Sequence, residues 1–363
     1  MKLWQILLVV ALGIGYGLIE PGRFAYAFGQ ATLYVFLPAL LFEAAWNLNL
    51  RAMVRQRVAI AVLAGPGVLI TALIVAGALS IVRVPFAPAL LTGAILSATD
   101  PIAVVAVFRR MKVPKTLATI IECESLFNDA VAVVLYRAVL AAIALGGISA
   151  AATLLALKTF GQAIGGAGFG IVLAYAIAQA LRGSRDVRIQ IPATVAAAYG
   201  AYFAADYLQL SGIFATVACG IALRHFERAW ITLSIAEDVN RFWDVAALAA
   251  NVLVFFMVGA ALEIGRVAQA PVFTIACLVA IAVARIVVAG LLLPGPYPRE
   301  WIDVVRVAGM RGALCLALAL AIPRGVAYRE AIVDATFAVA LATLAAAGLT
   351  ISPVVKRAVL ARR

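Results

Sequence analysis

Long apolar runs alternate with short polar segments from one end of this chain to the other. A helix rises 1.5 Å per residue, so about 20 apolar residues cross the ~30 Å hydrocarbon core of a bilayer. The pattern predicts twelve membrane-spanning helices, at about 3–19, 30–49, 57–82, 86–108, 117–143, 159–181, 189–206, 211–224, 243–263, 270–293, 301–322 and 330–351. The sequence therefore predicts an all-α polytopic membrane protein.

Composition supports this prediction. Hydrophobic residues make up 66% of the 363 residues and the mean hydropathy is +1.08, which is too apolar for a soluble domain. A net charge of +12 would suggest nucleic-acid binding in a soluble protein. Here the basic residues lie in short loops between apolar runs, so we interpret them as topology signals and expect no nucleic-acid partner.

The distribution of lysine and arginine predicts the orientation of the chain. If the N-terminus is cytoplasmic, 19 of the 29 basic residues lie in inside segments, six lie outside and four lie within spans. The positive-inside rule then predicts that both termini are cytoplasmic. We expect the protein to lie among the lipids of the inner or plasma membrane. The first span could instead be a signal peptide, because Lys2 precedes an apolar core and Ala25-Tyr26-Ala27 resembles a cleavage site.

The fourth span contains a polar interruption, Ser97-Ala98-Thr99-Asp100-Pro101. Pro101 has no N–H to give to the carbonyl of Ser97, and it disfavours helical geometry at Asp100. The helix should therefore break here. A broken helix leaves free carbonyl oxygens beside a carboxylate, and a small hard cation needs such ligands.

The fifth span carries a second polar group, Glu124-Ser125-Leu126-Phe127-Asn128-Asp129. The i, i+4 spacing places Glu124 over Asn128, and Ser125 over Asp129, on adjoining faces of one helix. Ionisable residues within the bilayer are costly and mark candidate functional sites. A purely structural role for Asp100 and Asp129, as hydrogen-bonded packing groups, is the less favoured interpretation.

The eleventh span contains Gly309-Met310-Arg311-Gly312, which predicts a second helix break opposite Pro101. Close helix packing is the alternative explanation for Gly309 and Gly312. An unpaired arginine within the membrane is very costly, so we expect Arg311 to form an ion pair with Glu124 that supports the site. Asp100, Asp129 and Arg311 lie about 13, 18 and 15 Å from the inner ends of their spans, so the three spans should meet near the midplane.

The remaining polar residues within the spans suggest structural roles. Glu43 and Arg285 are expected to brace helices instead of touching an ion, and Asn251 is expected to join two helices. The four cysteines, at 123, 219, 277 and 315, lie in apolar runs without C-x-x-C spacing. They predict buried free thiols, with no metal centre, disulfide or cofactor.

At these motifs the chain resembles the monovalent cation:proton antiporters, in the branch that contains bacterial NhaP and the animal sodium/proton exchangers. The matching segments are 98–101, 124–129, Leu37-Pro38-Ala39-Leu40-Leu41-Phe42-Glu43, Ser211-Gly212-Ile213, Phe255-Phe256-Met257-Val258-Gly259 and Gly309-Met310-Arg311-Gly312-Ala313. The resemblance covers nearly the whole chain, including the first span. Two departures flank the site and could tune ion preference: Cys123 where the family usually has glycine, and Cys315 where it usually has serine.

The resemblance implies a fold of two inverted repeats, with two broken helices crossing at the midplane. It implies a single transmembrane domain over 1–363, with a core bundle at about 57–143 and 270–351 and scaffold and dimer spans at about 3–49 and 159–263. The family's first helix is apparently missing here, so a homodimer would have a reduced interface. Since the chain stops shortly after the last span, no soluble regulatory domain is expected.

The resemblance also implies exchange of Na⁺ or Li⁺ for H⁺, not an enzymatic activity, with a role in pH homeostasis. Asp100 and Asp129 would bind either the proton or the cation, at one site that opens alternately to each side. Thr99, Ser125 and Asn128 would supply neutral oxygens, with Na⁺ held by Asp100, Asp129, Thr99 and Ser125. No cofactor is implied.

Three alternatives remain open at this point. One is K⁺/H⁺ exchange by the same fold, and another is a passive ion channel, which would need a continuous pore. The third is an intramembrane aspartyl protease that uses Asp100 and Asp129, because that chemistry also needs paired carboxylates. The chain lacks the paired G-x-G-D signature of such proteases, and Asp100 precedes a proline.

The resemblance further bears on stoichiometry. In the family's electrogenic relatives, which exchange two protons per sodium, the position of Asn128 is a second aspartate beside Asp129. An amide offers a carbonyl oxygen but takes up no proton near neutral pH. If Glu124 stays ionised beside Arg311, the Asp100/Asp129 cluster carries one proton or one cation. The expected exchange is therefore one-for-one and electroneutral.

Overall fold

Helices form the regular secondary structure throughout the part of the chain that the structure describes. This computed structural model describes residues 3–19, 32–111, 113–145, 150–182, 186–227, 233–260, 271–292 and 295–360. The predicted ends of spans at 30–31, 261–263, 270 and 293 lie outside these ranges, as does the possible cleavage site at 25–27.

We number the α-helices in chain order. The first half contains α1 (Leu3–Ile19), a π-helical turn (Thr32–Phe36) leading into α2 (Leu37–Asn47), α3 (Leu50–Arg55), α4 (Arg57–Ala64), α5 (Pro66–Ile81), α6 (Phe86–Ser97), α7 (Ile102–Met111) and α8 (Lys115–Ala144). The second half contains α9 (Ala150–Ala180), α10 (Val187–Tyr207), α11 (Gly212–Glu227), α12 (Leu233–Ala260), α13 (Pro271–Gly290), α14 (Arg299–Val307), α15 (Ala313–Leu320) and α16 (Arg329–Leu360).

Prolines set several of these boundaries. Pro114 and Pro298 immediately precede α8 and α14, where a missing backbone N–H costs nothing because the first N–H groups of a helix are unpaired. The predicted span at 57–82 divides at Gly65-Pro66 into α4 and α5, since Pro66 cannot donate to the preceding turn.

Length and hydropathy agree with a protein that crosses the membrane many times. Among the described residues, six segments are long and apolar enough to cross a membrane by themselves. They are Arg57–Ile81, Lys115–Ala144, Leu157–Ala180, Glu237–Ala260, Pro271–Gly290 and Arg329–Val359. The shorter apolar helices include α6, which ends at the predicted break. The last helix runs beyond the predicted end at 351, through Pro353.

A compact cluster of apolar residues joins α2, α9, α10, α11 and α12. Phe42 and Trp46 of α2 lie at its centre, and the Phe42 ring lies 4.8 Å from that of Trp243 on α12. Helices α9 and α11 approach closely because Gly166 and Gly170 present no side chain there, and a Cβ on either glycine would overlap backbone atoms of α11 or the residue before it. These helices therefore form one tightly packed layer.

The other helices surround the two polar interruptions. Helix α6 packs against α5 and α8, and α15 packs against α6 and α16. Helix α13 lies against α5, α14 and α16. This packing brings the break between α6 and α7 into contact with the break between α14 and α15.

Candidate functional site

The first break lies between Ser97, where α6 ends, and Ile102, where α7 begins. Ala98 has an extended backbone with φ −62° and ψ 139°. Oδ1 of Asp100 accepts a hydrogen bond of 2.9 Å from the backbone N–H of Ile102, so the carboxylate caps the start of α7. Pro101 lies within the break, as its chemistry requires.

The second break lies between Val307 and Ala313. The backbone N–H of Asp100 donates to the carbonyl of Met310 over 2.9 Å, which joins the two breaks directly. Gly312 lies against the Asp100 carboxylate so closely that a Cβ at this position would overlap it. The absence of a side chain at Gly312 thus makes room for Asp100.

Helix α8 holds the first break through two polar side chains. Ser125 Oγ donates to the backbone carbonyl of Thr99. Asn128 Nδ2 donates to Thr99 Oγ1 over 2.6 Å, and Asn128 Oδ1 accepts from the backbone N–H of Thr99 over 3.3 Å. All three residues are buried, so these bonds fix the non-helical backbone in a place without bulk water.

Asp129 lies one residue beyond Asn128 on α8 and is partly buried. Its carboxylate interacts electrostatically with Asp100, Glu124 and Arg311 and lies beside the backbone N–H of Thr99. Its Oδ1 is buried and makes no hydrogen bond to the described part of the protein. The site therefore contains a carboxylate oxygen that is available to a ligand.

Glu124 forms its ion pair with Arg285 of α13, with 2.8 Å between Oε1 and Nη1. Both side chains are buried. Arg285 Nη2 also donates to the carbonyl of Val305, and its guanidinium fills the space over Gly309. The predicted pair between Glu124 and Arg311 is therefore wrong. Charge and depth in the sequence do not decide which arginine within the spans reaches Glu124; the packing of α13 against α14 decides it.

Arg311 lies in the second break and is 3% exposed. Its backbone N–H donates to Thr343 Oγ1 over 3.1 Å, and Nη1 donates to the carbonyl of Gly309 over 3.2 Å. Nε and Nη2 make no hydrogen bond to the described residues. Asp129 and Glu124 lie within electrostatic range and attract the guanidinium without direct pairing, while the nearby Arg285 repels it.

A cavity of about 20 Å³ adjoins the second break between α1, α12, α15 and α16. Arg311 and Gly312 line it together with apolar residues such as Phe255 and Phe337. This volume suffices for about one water molecule.

Sequence reasoning missed two contributors to the site. Thr343 of α16 supports the second break much as Asn128 supports the first, and a single hydroxyl in an apolar span gave no useful signal. Cys315 of α15 donates its thiol to the carbonyl of Ala98 over 3.2 Å. The sequence marked Cys315 as a departure from the family pattern, but the contact needs the folded arrangement. All four cysteines are free and buried, as predicted.

Known proteins resemble this chain over most of its length. The family model described as "Sodium/hydrogen exchanger, transmembrane" matches residues 2–357. The chain is 31% identical over 343 residues to the Na(+)/H(+) antiporter NhaH of Halobacillus dabanensis, covering 90% of this chain and 83% of that protein. It is 32% identical over 355 residues to the Na(+)/H(+) antiporter NhaP of Pseudomonas aeruginosa, covering 91% and 81% of the two chains.

The fold is also similar to a solved structure, that of the sodium proton antiporter MjNhaP1 from Methanocaldococcus jannaschii at pH 8. The TM-score is 0.79 at 21% identity, and the match covers 94% of this chain and 92% of that one. Together with the family model over almost the entire sequence, these matches establish that the chain belongs to the sodium/hydrogen exchanger family of membrane proteins.

Proposed function

We propose that this protein exchanges Na⁺ for H⁺ across a membrane at the Asp100/Asp129 site. The observation that carries the proposal is the free Oδ1 of Asp129 beside two helix breaks that meet at Asp100. The names of the relatives, which are Na(+)/H(+) antiporters, support the same substrate pair. Li⁺ is the expected substitute for Na⁺, because it is also a small hard cation.

The hydrogen bonds of the site leave acceptors for a cation. The Ser125 hydroxyl proton is committed to the Thr99 carbonyl, so the lone pairs of Ser125 Oγ are turned toward other partners. Ser125 Oγ would supply the oxygen ligands that Na⁺ prefers, together with Thr99 Oγ1 and the carboxylates of Asp100 and Asp129. Asn128 positions Thr99 by a hydrogen bond. Its side chain is an amide, so it adds no second acidic group beside Asp129.

A proton and Na⁺ compete for the same carboxylate oxygens. Burial disfavours a carboxylate that is neither protonated nor paired, so either ligand relieves the same cost. Binding of one then excludes the other, and exchange follows from a single site. The apparent KM for Na⁺ should accordingly rise as the pH falls.

The charges around the site suggest a stoichiometry of one to one. Asp100, Asp129 and Glu124 supply three negative groups, and Arg285 and Arg311 supply two positive ones. One Na⁺ or one proton neutralises the remaining charge. Both loaded forms then carry the same net charge, so their movement transfers no charge across the membrane.

Alternating access would come from movement of the core bundle, at about 57–143 and 270–351, against the scaffold, at about 3–49 and 159–263. The apolar cluster around Phe42 and Trp243 supports this division, because its helices all belong to the scaffold. We further propose that the protein forms a homodimer in the inner or plasma membrane. Both termini would be cytoplasmic, because the distribution of basic residues indicates this orientation. The protein would need no cofactor and would act in pH homeostasis.

The antiporter relatives favour Na⁺/H⁺ exchange over the K⁺/H⁺ exchange, channel and protease functions considered from the sequence. The test is to reconstitute the protein in liposomes and measure proton flux driven by inward gradients of Na⁺, Li⁺ or K⁺. We expect flux with Na⁺ and Li⁺ and little with K⁺. The absence of any cation-driven proton flux in these liposomes would overturn the proposal. Proton flux with K⁺ alone would show that the transported cation is K⁺ and not Na⁺.

A further inference from the structure

The thiol of Cys315 on α15 contacts the backbone of the first helix break. Its Sγ lies 3.2 Å from the carbonyl oxygen of Ala98, and both residues are almost completely buried. Cys315 is the third residue of α15, so it follows the second break directly, whereas Ala98 is the first residue of the first break. The contact therefore connects the first non-helical segment to the first turn of the helix that follows the second one.

The carbonyl of Ala98 is available because the helix ends there. In a continuous helix it would accept the N–H of residue 102. The N–H of Ile102 instead donates to Oδ1 of Asp100. The thiol of Cys315 is thus the donor that the structure gives to this carbonyl in place of the missing helical bond.

A thiol is a weak hydrogen-bond donor, so this contact orients the carbonyl without saturating it. Carbonyl oxygens are good ligands for small hard cations, and this one lies next to Thr99 and two residues from Asp100. We propose that Cys315 is a positioning residue. Its thiol holds the Ala98 carbonyl in place, so that this carbonyl serves as a further neutral ligand for the transported cation. This inference rests on the proposed function and adds to it a determinant of cation affinity.

The test compares Cys315→Ala with Cys315→Ser by the Na⁺ dependence of proton flux in liposomes. Cys315→Ala removes the donor, so the KM for Na⁺ should rise by about two- to threefold, the factor that a weak net hydrogen bond contributes to an equilibrium constant. The maximal rate at saturating Na⁺ should change little. Cys315→Ser keeps a hydrogen-bond donor at this position, so its KM for Na⁺ should stay near the wild-type value.

If Cys315 serves only in packing, the two variants should differ in thermal stability and not in KM. Serine places a hydroxyl in a site that suits an apolar thiol, so Cys315→Ser would then lose more thermal stability than Cys315→Ala, and neither variant would change the KM. That result would overturn the inference. Na⁺-dependent protection against thermal unfolding supplies a second measure of affinity that does not depend on flux.

Cys219 provides the matched control. It is also fully buried, and its Sγ lies 3.9 Å from the carbonyl of Ala197, within the scaffold layer. Cys219→Ala and Cys219→Ser should leave the KM unchanged. If the wild-type protein shows no exchange, the proposed function fails. If it exchanges Na⁺ and the Cys315→Ala variant keeps the wild-type KM, only the role of Cys315 fails.

Discussion

Arg285 on α13 and Glu124 on α8 form an ion pair in which both side chains are buried, with 2.8 Å between Nη1 and Oε1. Removing one member of such a pair leaves an uncompensated charge in a low-dielectric environment. We expect Arg285→Gln to lower the free energy of unfolding by about 3–5 kcal/mol. Thermal unfolding in detergent measures the loss.

A double-mutant cycle tests whether this loss comes from the pair. Glu124→Gln combined with Arg285→Gln should be more stable than Arg285→Gln alone, because no charge is then left unpaired. Strictly additive losses would show that the two residues are not coupled. Arg306→Gln is the control, since its pair with Asp303 is exposed and should contribute about 1 kcal/mol or less.

Replacing either central carboxylate by its amide should abolish exchange. Asp129→Asn and Asp100→Asn keep the side-chain volume but remove the group that binds a proton, and asparagine at 100 can still cap α7. Both variants should insert and purify normally while Na⁺-driven proton flux is lost. Near-normal flux in Asp129→Asn would contradict the mechanism. Asp206→Asn, at an exposed carboxylate on α10, should retain activity.

Gly312 should tolerate no side chain. A Cβ at this position would overlap the Asp100 carboxylate, so Gly312→Ala must displace Asp100 or separate the two breaks. We expect a loss of flux comparable to that of Asp100→Asn. Gly77→Ala is the matched control, because the space around Gly77 on α5 is open and alanine favours a helix. Equal activity of the two alanine variants would argue against close contact at Asp100.

Exchange should be insensitive to membrane potential. With one proton or one Na⁺ bound, the charges of the site balance in both forms, so no net charge moves. The measurement is Na⁺-driven proton flux in liposomes whose potential is set with K⁺ and valinomycin. A rate or end point that shifts with the potential would refute one-for-one exchange.

Asn128→Asp extends this test to the amide beside Asp129. Arg311 has two nitrogen atoms, Nε and Nη2, without a hydrogen bond to the described residues, so it can compensate an added carboxylate. The variant would also lose the bond from Asn128 Nδ2 to Thr99 Oγ1. We therefore expect weaker exchange that is still electroneutral, and an increase in potential dependence would contradict this expectation.

Local chemistry made much of the site predictable from sequence. Pro101 after Asp100 disfavours a continuous helix whatever the helix packs against, and α6 ends at Ser97, just before them. The i, i+3 spacing of Ser125 and Asn128 on α8 places both side chains within reach of one partner, Thr99. Apolar runs of membrane length predicted the helices, because lipid leaves the backbone no other way to satisfy its hydrogen bonds.

Contacts between distant segments needed the tertiary structure. The sequence predicted Arg311 as the partner of Glu124, but the packing of α13 beside α14 brings Arg285 to it instead. The contacts of Thr343 with Arg311 and of Cys315 with Ala98 join residues 32 and 217 positions apart. A periodic pattern fixes which residues share a face of one helix, whereas the rotation and depth of each helix against its neighbours depend on the packing of the whole bundle.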